Sequence, residues 1–186
     1  DLAIDLIYVA RRGWRSFTIY RRIARMTADD LPPAGASGPI AVFVPAWDEA
    51  GVIGPMLAGC LEKWRNEDMH LFVGAYPNDP ATLAVLEAVM AGQGRGRVSL
   101  VVNPRPGPTT KADCLNQLWK AMERWEAVTG RYVLSVVLHD AEDVIHPDAL
   151  RLIGYLASRF ALVQLPVLPL RSARSRWVSG HYLDEF

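Results

Sequence analysis

Residues 40–64 read IAVFVPAWDEAGVIGPMLAGCLEKW, and this stretch decides the fold. Its first five residues, Ile40–Val44, are all apolar and largely β-branched, which is typical of a strand buried on both faces. A short loop follows, and Val52–Trp64 then has the apolar spacing of a helix. A buried strand followed by a helix is the unit from which parallel sheets are built.

The same unit recurs along the chain. Further strands are predicted at Leu71–Val73, Val98–Val102, Tyr132–Leu138 and Leu162–Leu165, and further helices at Pro80–Met90, Thr110–Val128 and Pro147–Ser158. This alternation predicts an α/β fold, a Rossmann-like sandwich with a mostly parallel central sheet and helices on both faces. Ligands bind such sheets beyond the carboxyl ends of the strands. The loops beginning near Pro45, Gly74, Asn103 and His139 are therefore where functional residues are expected.

The first thirty residues have a different pattern. Apolar residues recur at helical spacing from Leu2 to Met26, and six arginines occupy much of the remainder: Arg11, Arg12, Arg15, Arg21, Arg22 and Arg25. A basic amphipathic helix is predicted within residues 1–30, and it either packs on the domain or lies on a membrane surface. The prolines and glycines of residues 31–39 predict a linker, which leaves residues 40–186 for the α/β domain.

Composition narrows the classes of function. Lysine plus arginine and aspartate plus glutamate number 20 each, so no global field attracts the chain to nucleic acid, and no nucleic-acid partner is expected. The two cysteines, Cys60 and Cys114, fall in predicted helices without metal or redox spacing, which favours a reducing, intracellular compartment. No stretch has the roughly 18 apolar residues of a membrane span, and no initiator methionine or signal peptide is present. We expect the chain to be a piece of a longer protein.

The loop after the fourth predicted strand is acidic. Asp140, Glu142 and Asp143 place three carboxylates within four residues, and Mg²⁺ or Mn²⁺ favours carboxylate together with phosphate oxygens. A metal–diphosphate site would account for the cluster. The alternative is that Asp143 and Asp148 merely complement the start of the next helix. His139 and His146 lack the spacing of a zinc site.

Two other loops carry weaker signals. Trp47 offers a surface on which a base could stack, and Asp48 or Glu49 beside it either accepts hydrogen bonds from that base or caps the next helix. Lys111 stands at a predicted helix start, where a phosphate is favoured, although a single exposed lysine is also simply solvated. No strand is followed by a G-x-G-x-x-G turn, which argues against a dinucleotide-dependent oxidoreductase.

Four elements, in order along the chain, resemble the motifs of inverting family 2 glycosyltransferases, which have the GT-A fold. Residues 42–49 resemble their V-x-x-P-x-x-N-E opening, residues 111–116 their G-K-x-x-x-L-N element, residues 140–143 their D-A-D-D metal motif, and residues 164–166 their V-Q-x-P strand. Two departures are visible. Residues 74–79 lack the usual Asp-Asp pair, and Glu142 replaces an aspartate.

A closer resemblance is to the NfrB-like bacterial inner-membrane glycosyltransferases, the phage-adsorption protein B group. It is carried by a Y-P-N-D-P-A-T loop at residues 76–82, an L-H-D-x-E-D-x-I-H-P segment at residues 138–147, and a Y-L-D-E-F stretch at residues 182–186. This resemblance implies a catalytic domain at the cytoplasmic face of the bacterial inner membrane, attached through flanking segments.

The resemblance implies a reaction and a set of site residues. The reaction would be transfer of a sugar from a nucleotide diphosphate donor, a uridine one being expected, to a glycan or lipid-linked acceptor. Asp140 and Glu142 would hold Mg²⁺ or Mn²⁺. The nucleotide-sugar-binding residues would be Pro45, Trp47, Glu49, Tyr76, Asp79, Lys111, Asp113, Asn116 and Asp140.

The catalytic base is not assigned within the chain. The family's T-E-D-like motif does not follow Asp143, so the base is expected beyond residue 186, and the chain is expected to bind donor without transferring sugar. The alternative function is a catalytically degenerate glycosyltransferase-like module that binds nucleotide or partner proteins in an envelope or exopolysaccharide assembly.

Overall fold

The computed structural model describes residues 2–23 and 26–166. It contains a four-stranded, fully parallel sheet in the order β3-β2-β1-β4. The strands are β1 (Ile40–Pro45), β2 (Met69–Ala75), β3 (Val98–Val102) and β4 (Ser135–Leu138). The helices are α1 (Leu2–Thr18), α2 (Ile53–Lys63), α3 (Pro80–Ala91), α4 (Lys111–Thr129) and α5 (Ala149–Ala157), with a short 3₁₀ turn at Ala28–Asp30.

Alternate residues of β1 enter two separate apolar cores, because neighbouring side chains of a strand point to opposite faces. Ile40, Val42 and Val44 join the core beneath α2, α3 and α5. Ala41 and Phe43 join the core beneath α4. Helices therefore cover both faces of a parallel sheet, and the α/β fold predicted from the sequence, with its preceding helix, is confirmed.

The chain divides into two compact units, residues 1–155 and 156–186. The first contains the whole sheet. In the second, the described residues are 156–166; Leu156 and Ala157 end α5, and residues 158–166 contain no helix or strand.

One strand prediction is wrong. Leu162–Leu165 has no strand structure, although its apolar residues suggested one. A strand is defined by hydrogen bonds to a neighbour, and an apolar run alone does not supply that neighbour. The resemblance of Gln164–Pro166 to a family strand is therefore not matched by strand structure here.

The N-terminal helix is shorter than the predicted range. Helix α1 ends at Thr18 rather than near Met26, and none of its residues is buried. Leu2, Leu6, Val9, Trp14 and Phe17 lie along one face of it, all well exposed. Its arginines, including Arg11, Arg12 and Arg15, lie on the other side. No helix among the described residues is long and apolar enough to cross a membrane.

Residues 31–39 form no helix or strand, but they are fastened to the domain. Arg151 of α5 donates hydrogen bonds from its guanidinium to the carbonyl oxygens of Pro32 (3.0 Å), Leu31 (3.2 Å) and Ala28 (3.4 Å). The N–H of Gly35 donates to the carboxylate of Glu67 (2.9 Å). This segment is held at several points rather than free along its length.

Candidate functional site

A cleft of about 370 Å³ opens at the carboxyl edge of the sheet. From β1 the sheet continues through β2 and β3 on one side, and β4 is then added on the other side of β1. The cleft lies where the strand order reverses, next to the ends of β1 and β4. Ligands of open α/β sheets bind at this switch point. The lining residues are Pro45, Ala46, Trp47, Glu49, Tyr76, Pro108, Thr109, Lys111, Cys114, Asp140, Ala141 and Glu142.

One side of the cleft, here called the aromatic wall, consists of Trp47, Tyr76, Pro108 and Thr109. The Trp47 and Tyr76 rings meet edge to face, with centroids 5.3 Å apart. The Tyr76 hydroxyl is 2.8 Å from the Thr109 hydroxyl. The ring of Tyr76 is buried, so it supports the wall from behind.

Gly107 and Asn78 fasten this wall. A Cβ atom on Gly107 would lie 2.5 Å from the Trp47 ring and 2.7 Å from the Tyr76 ring, so only glycine fits against them. The Asn78 side-chain amide donates to the Gly107 carbonyl (2.8 Å) and its oxygen accepts from the Gly107 N–H (2.7 Å). The loops after β2 and β3 are thereby joined by a two-bond contact.

A second group of lining residues, here called the acidic wall, consists of Glu49, Asp140 and Glu142. Burial raises the pKa of Glu49, and the neighbouring carboxylates, Glu142 first and Asp140 among them, raise it further. All three carboxylates line the cleft, so the loops after β1 and β4 bring the predicted acids together. Asp140 and Glu142 are exposed.

Two side chains at the C-terminal end of α2, Lys63 and the following Trp64, hold the backbone of the acidic loop. Lys63 donates to the carbonyl oxygen of Ile145 (3.0 Å), and the buried Trp64 indole N–H donates to that of His146 (3.1 Å). The Trp64 ring also meets the His139 ring edge to face at 6.0 Å. These contacts fix the far end of the loop that carries Asp140 and Glu142.

Lys111 enters the cleft from the first residue of α4. The helix is capped by Thr110, whose hydroxyl accepts from the Asp113 N–H (3.1 Å). A Cβ on Gly74 of β2 would overlap the Cys114 sulfur, so this glycine lets the helix start approach the sheet closely. Lys111 forms an ion pair with Asp140.

Three of the predicted nucleotide-binding residues do not line the cleft. Asp79 is buried and caps α3, accepting from the N–H groups of Thr82 (3.2 Å) and Asp48 (2.7 Å). Burial alone would raise the pKa of Asp79, but hydrogen bonds from the Thr82 hydroxyl and from the N–H groups of Asp48 and Thr82 outweigh it and lower the pKa. Asp113 pairs with Arg105 at 2.6 Å, and Asn116 is exposed on α4.

Asp48, between Trp47 and Glu49, has a left-handed backbone with φ 58°. Aspartate tolerates this region better than most residues. Together with the bond from its N–H to Asp79, this turn directs Trp47 and Glu49 to the cleft. The Glu49 N–H is held by the Thr82 hydroxyl at 3.1 Å.

Sequence reasoning missed several lining residues, namely Ala46, Pro108, Thr109, Cys114 and Ala141. The three prolines of residues 104–108 were a signal that this loop has a fixed shape. The Asp79-Pro80 pair was a signal of a helix cap, because aspartate is favoured at the N-cap and proline at the first helical position.

Among the described residues, no group of three or more histidine, cysteine or acidic side chains is arranged to hold a metal ion by itself. The donors present are the carboxylates of the acidic wall, which are hard oxygen ligands. Mg²⁺ and similar ions are commonly held by one or two carboxylates together with substrate phosphates and water. The donor set therefore fits a cation that arrives with a diphosphate, and Asp140 and Glu142 are the residues to hold it.

Comparison with known proteins decides the family. The family described as "Glycosyltransferase like family 2" matches residues 37–186, which include the whole sheet and every residue of the cleft. The chain belongs to this glycosyltransferase family. The resemblance found in its motifs is confirmed.

Two curated relatives are similar to this chain over all 186 of its residues. They are "Bacteriophage adsorption protein B" of Escherichia coli (strain K12) and "Bacteriophage N4 adsorption protein B" of Escherichia coli O157:H7, each 42% identical. The chain spans 25% of the length of each. A solved structure described as "Crystal Structure of a Mycobacterial Protein" aligns with 73% of this chain and 42% of its own, at 21% identity and a TM-score of 0.41.

Proposed function

We propose that the chain carries the donor-binding part of an inverting glycosyltransferase, which transfers a sugar from a metal-bound uridine diphosphate donor to a glycan or lipid-linked acceptor. The observation that carries this proposal is the cleft at the strand-order switch, in a member of a glycosyltransferase family. It combines an aromatic wall, an acidic wall and a lysine at a helix start.

The aromatic wall suits the nucleoside. Trp47 is partly exposed and lines the cleft, and its position is fixed by Tyr76 and Gly107. A flat apolar surface held rigidly in this way stacks a base at little cost in side-chain entropy. Glu49 stands on the same loop, within reach of the polar groups of a nucleoside.

The acidic wall and Lys111 suit the diphosphate. Lys111 and the free N–H groups at the start of α4 supply positive charge for phosphate oxygens. Asp140 and Glu142 would hold Mg²⁺ or Mn²⁺, which offsets the charge that builds on the leaving diphosphate. The chain's own residues bind and orient the donor, and the general base for the acceptor is expected beyond residue 186.

Calorimetric titration of the chain with a panel of nucleoside diphosphates, with and without Mn²⁺, tests this proposal. We expect uridine diphosphate to bind, and to bind more tightly with the metal. Absence of binding by every nucleotide in the panel at millimolar concentration would overturn it.

A second candidate is a degenerate glycosyltransferase-like module that serves in an envelope or exopolysaccharide assembly. What favours it is the region of the expected Asp-Asp pair, where Asp79 is buried as a helix cap instead of facing the cleft. Hydrolysis of the donor by a longer form of the protein would exclude this candidate, whereas nucleotide binding alone would not.

We further propose that α1 lies on the cytoplasmic face of the bacterial inner membrane. Its exposed apolar face and its arginines are the two components of an interfacial helix, and each basic residue near an anionic surface contributes about 1 kcal/mol. The names of the two relatives, which concern phage adsorption, support a role at the cell envelope.

Sedimentation with anionic vesicles at low salt tests the membrane proposal. The chain should sediment with the vesicles, while a version that starts at Gly38 should stay in solution. Equal capture of both versions would contradict it, and a variant with Trp14 and Phe17 replaced by serine separates the apolar contribution from the charge.

A further inference from the structure

The ion pair between Lys111 and Asp140 crosses the cleft. It joins the start of α4 to the acidic loop after β4, and both side chains remain about half exposed, at 56% and 51%. Among the cleft-lining residues that the structure describes, Lys111 is the one basic side chain, and it faces three carboxylates. Asp140 therefore already has a cation beside it, although only a singly charged one.

The lining carries an uncompensated negative charge. Three carboxylates and one ammonium group leave two negative charges without a partner in the cleft. The charge of a diphosphate would add to this excess, so a nucleotide diphosphate alone is repelled. A divalent cation alone is attracted by the acids, but it has to displace the Lys111 ammonium from Asp140.

Displacement has different consequences for a free and a nucleotide-bound metal. When a free cation takes Asp140, the Lys111 ammonium is left without a partner beside a like charge, which costs free energy. When the metal arrives with a diphosphate, the phosphate oxygens accept the displaced ammonium in a charge-assisted contact. Lys111 thus weakens the binding of the free metal ion and strengthens the binding of the metal–diphosphate complex.

We propose that Lys111, through its pairing with Asp140, makes the cleft select the metal–nucleotide diphosphate complex over the free metal ion. The lysine is a specificity-determining residue that couples the two ligands. This inference rests on the proposed function, because it takes Asp140 as a metal ligand and the diphosphate as the partner of Lys111.

Arg105 does not take over this role. Its guanidinium is bonded to Asp113 at 2.6 Å and it does not line the cleft. Lys120 lies nine residues further along α4, which is roughly 13 Å at the rise of a helix. It is exposed, and it provides a matched control for the loss of one lysine from the same helix.

Binding of Mn²⁺ without nucleotide is the first measurement. The electron paramagnetic resonance signal of free Mn²⁺ reports how much metal the 186-residue chain takes up. Lys111→Met should bind Mn²⁺ about three- to tenfold more tightly than the original chain, since it loses a partly exposed ion pair and a nearby like charge. Lys111→Arg, which keeps the charge, and Lys120→Met should both bind it as the original chain does.

Binding of uridine diphosphate is the second measurement. Titration calorimetry with and without Mn²⁺ gives the factor by which the metal tightens nucleotide binding, and linkage requires the same factor for the effect of nucleotide on metal. This factor should fall in Lys111→Met by at least the gain in affinity for free Mn²⁺. Thermal unfolding checks that each variant is folded.

The outcomes separate this inference from the proposed function. If uridine diphosphate binding by the original chain depends on Mn²⁺ but Lys111→Met leaves free-metal affinity unchanged, the inference is wrong and the proposed function stands. The inference is also wrong if Lys120→Met tightens Mn²⁺ binding as much as Lys111→Met. If the original chain binds no uridine diphosphate with Mn²⁺, both are overturned.

Discussion

The two walls of the cleft are built in opposite ways. The aromatic wall is fixed by protein contacts: Tyr76 bonds to Thr109, and Asn78 makes two hydrogen bonds to Gly107. The acidic wall presents exposed carboxylates that raise the pKa of Glu49, and Lys111 is the only basic side chain among the described residues that line the cleft. One wall is complete without a ligand, while the other is electrostatically unbalanced.

This difference indicates a division of labour. A preformed surface limits the entropy lost when a flat group stacks on it. Clustered like charges destabilise the free protein, and a bound cation reduces their repulsion. They therefore make the binding of an anionic nucleotide depend on a cation. Substitutions in the aromatic wall should therefore lower stability and binding together, whereas those in the acidic wall should weaken binding without lowering stability.

The strongest test removes one charge from the acidic wall. Asp140→Asn should reduce Mn²⁺-dependent binding of uridine diphosphate by more than about tenfold, because it removes one of the two carboxylates proposed to hold the metal against the diphosphate. The free energy of unfolding without metal should change little, since Asp140 is exposed. Asp143→Asn is the matched control in the same loop, outside the cleft lining. Titration calorimetry and urea unfolding measure the two effects, and equal loss of binding in both variants would break the comparison.

The aromatic wall is tested through Gly107. Gly107→Ala places a Cβ 2.5 Å from the Trp47 ring. Overpacking of this kind costs about 1–3 kcal/mol of stability, and the displaced ring should also weaken nucleotide binding. Gly51→Ala is the control, because a Cβ there meets nothing within 4 Å. Chemical denaturation compares the two variants. Full stability with lost binding in Gly107→Ala would show that this wall is not held as described.

The stability of the protein also depends on pH through His70, which lies outside the cleft lining. His70 in β2 is buried, its Nε2 lies 2.8 Å from the Ser99 hydroxyl, and its ring contacts Trp125. Burial, with smaller contributions from Arg131 and Arg97, lowers the pKa of His70 to about 4. The folded state therefore prefers the neutral ring, so this stabilisation is complete above the ordinary pKa of 6.5 and is lost as the pH falls towards 4.

The predicted consequence is a loss of about 1–2 kcal/mol in the free energy of unfolding between roughly pH 7.5 and pH 5. His70→Gln should lose correspondingly less over the same range, as measured by urea unfolding at each pH. Parallel pH profiles of the two proteins would contradict the assignment. This measurement also supplies the background against which the smaller effect of Glu49 is read.

Glu49 should give the smallest effect, with the opposite sign. Because its pKa is raised in the folded protein, its ionised form is disfavoured, so its stabilisation is present at acid pH and lost as the pH rises. Glu49→Gln should therefore be slightly more stable than the original chain at neutral pH in chelator, and it should unfold at a slightly higher temperature. The gain in the free energy of unfolding should be less than about 1 kcal/mol, because the site is open to solvent. The gain should vanish near pH 4, and thermal unfolding at the two pH values checks it. A loss of stability at neutral pH would show that the acids do not repel one another.

Much of the fold could be predicted from local patterns. The strand Val98–Val102 was predicted with its observed limits, and α3 within one residue, because apolar periodicity and Gly or Pro boundaries are visible in the sequence. Leu162–Leu165 failed because strand formation needs a neighbouring strand. The tight approach of α4 to β2 depends on Gly74, and nothing local marks that glycine as a packing residue.

The site was predictable where strand ends alone determine position. Trp47, Glu49, Asp140 and Glu142 follow β1 and β4, which are adjacent, so the general rule for parallel sheets brings them together. The burial of Asp79 was not predicted, because a motif position does not say whether a carboxylate faces a ligand or a helix end. The pairing of Lys111 with Asp140 depends on the approach of two distant segments, 29 residues apart.

The contacts of Arg151 with the carbonyl oxygens of residues 28–32 set a tether length. Thr18 ends α1 and Ala28 is already fastened, so ten residues at most span the interval, which is about 35 Å when fully extended. With α1 on a bilayer, Ala28 and the residue of α5 that fastens it, Arg151, cannot move much further than that from the surface. The cleft would then stay close to the membrane surface. A membrane-bound acceptor would meet it there at a high effective concentration, without any direct affinity between the two.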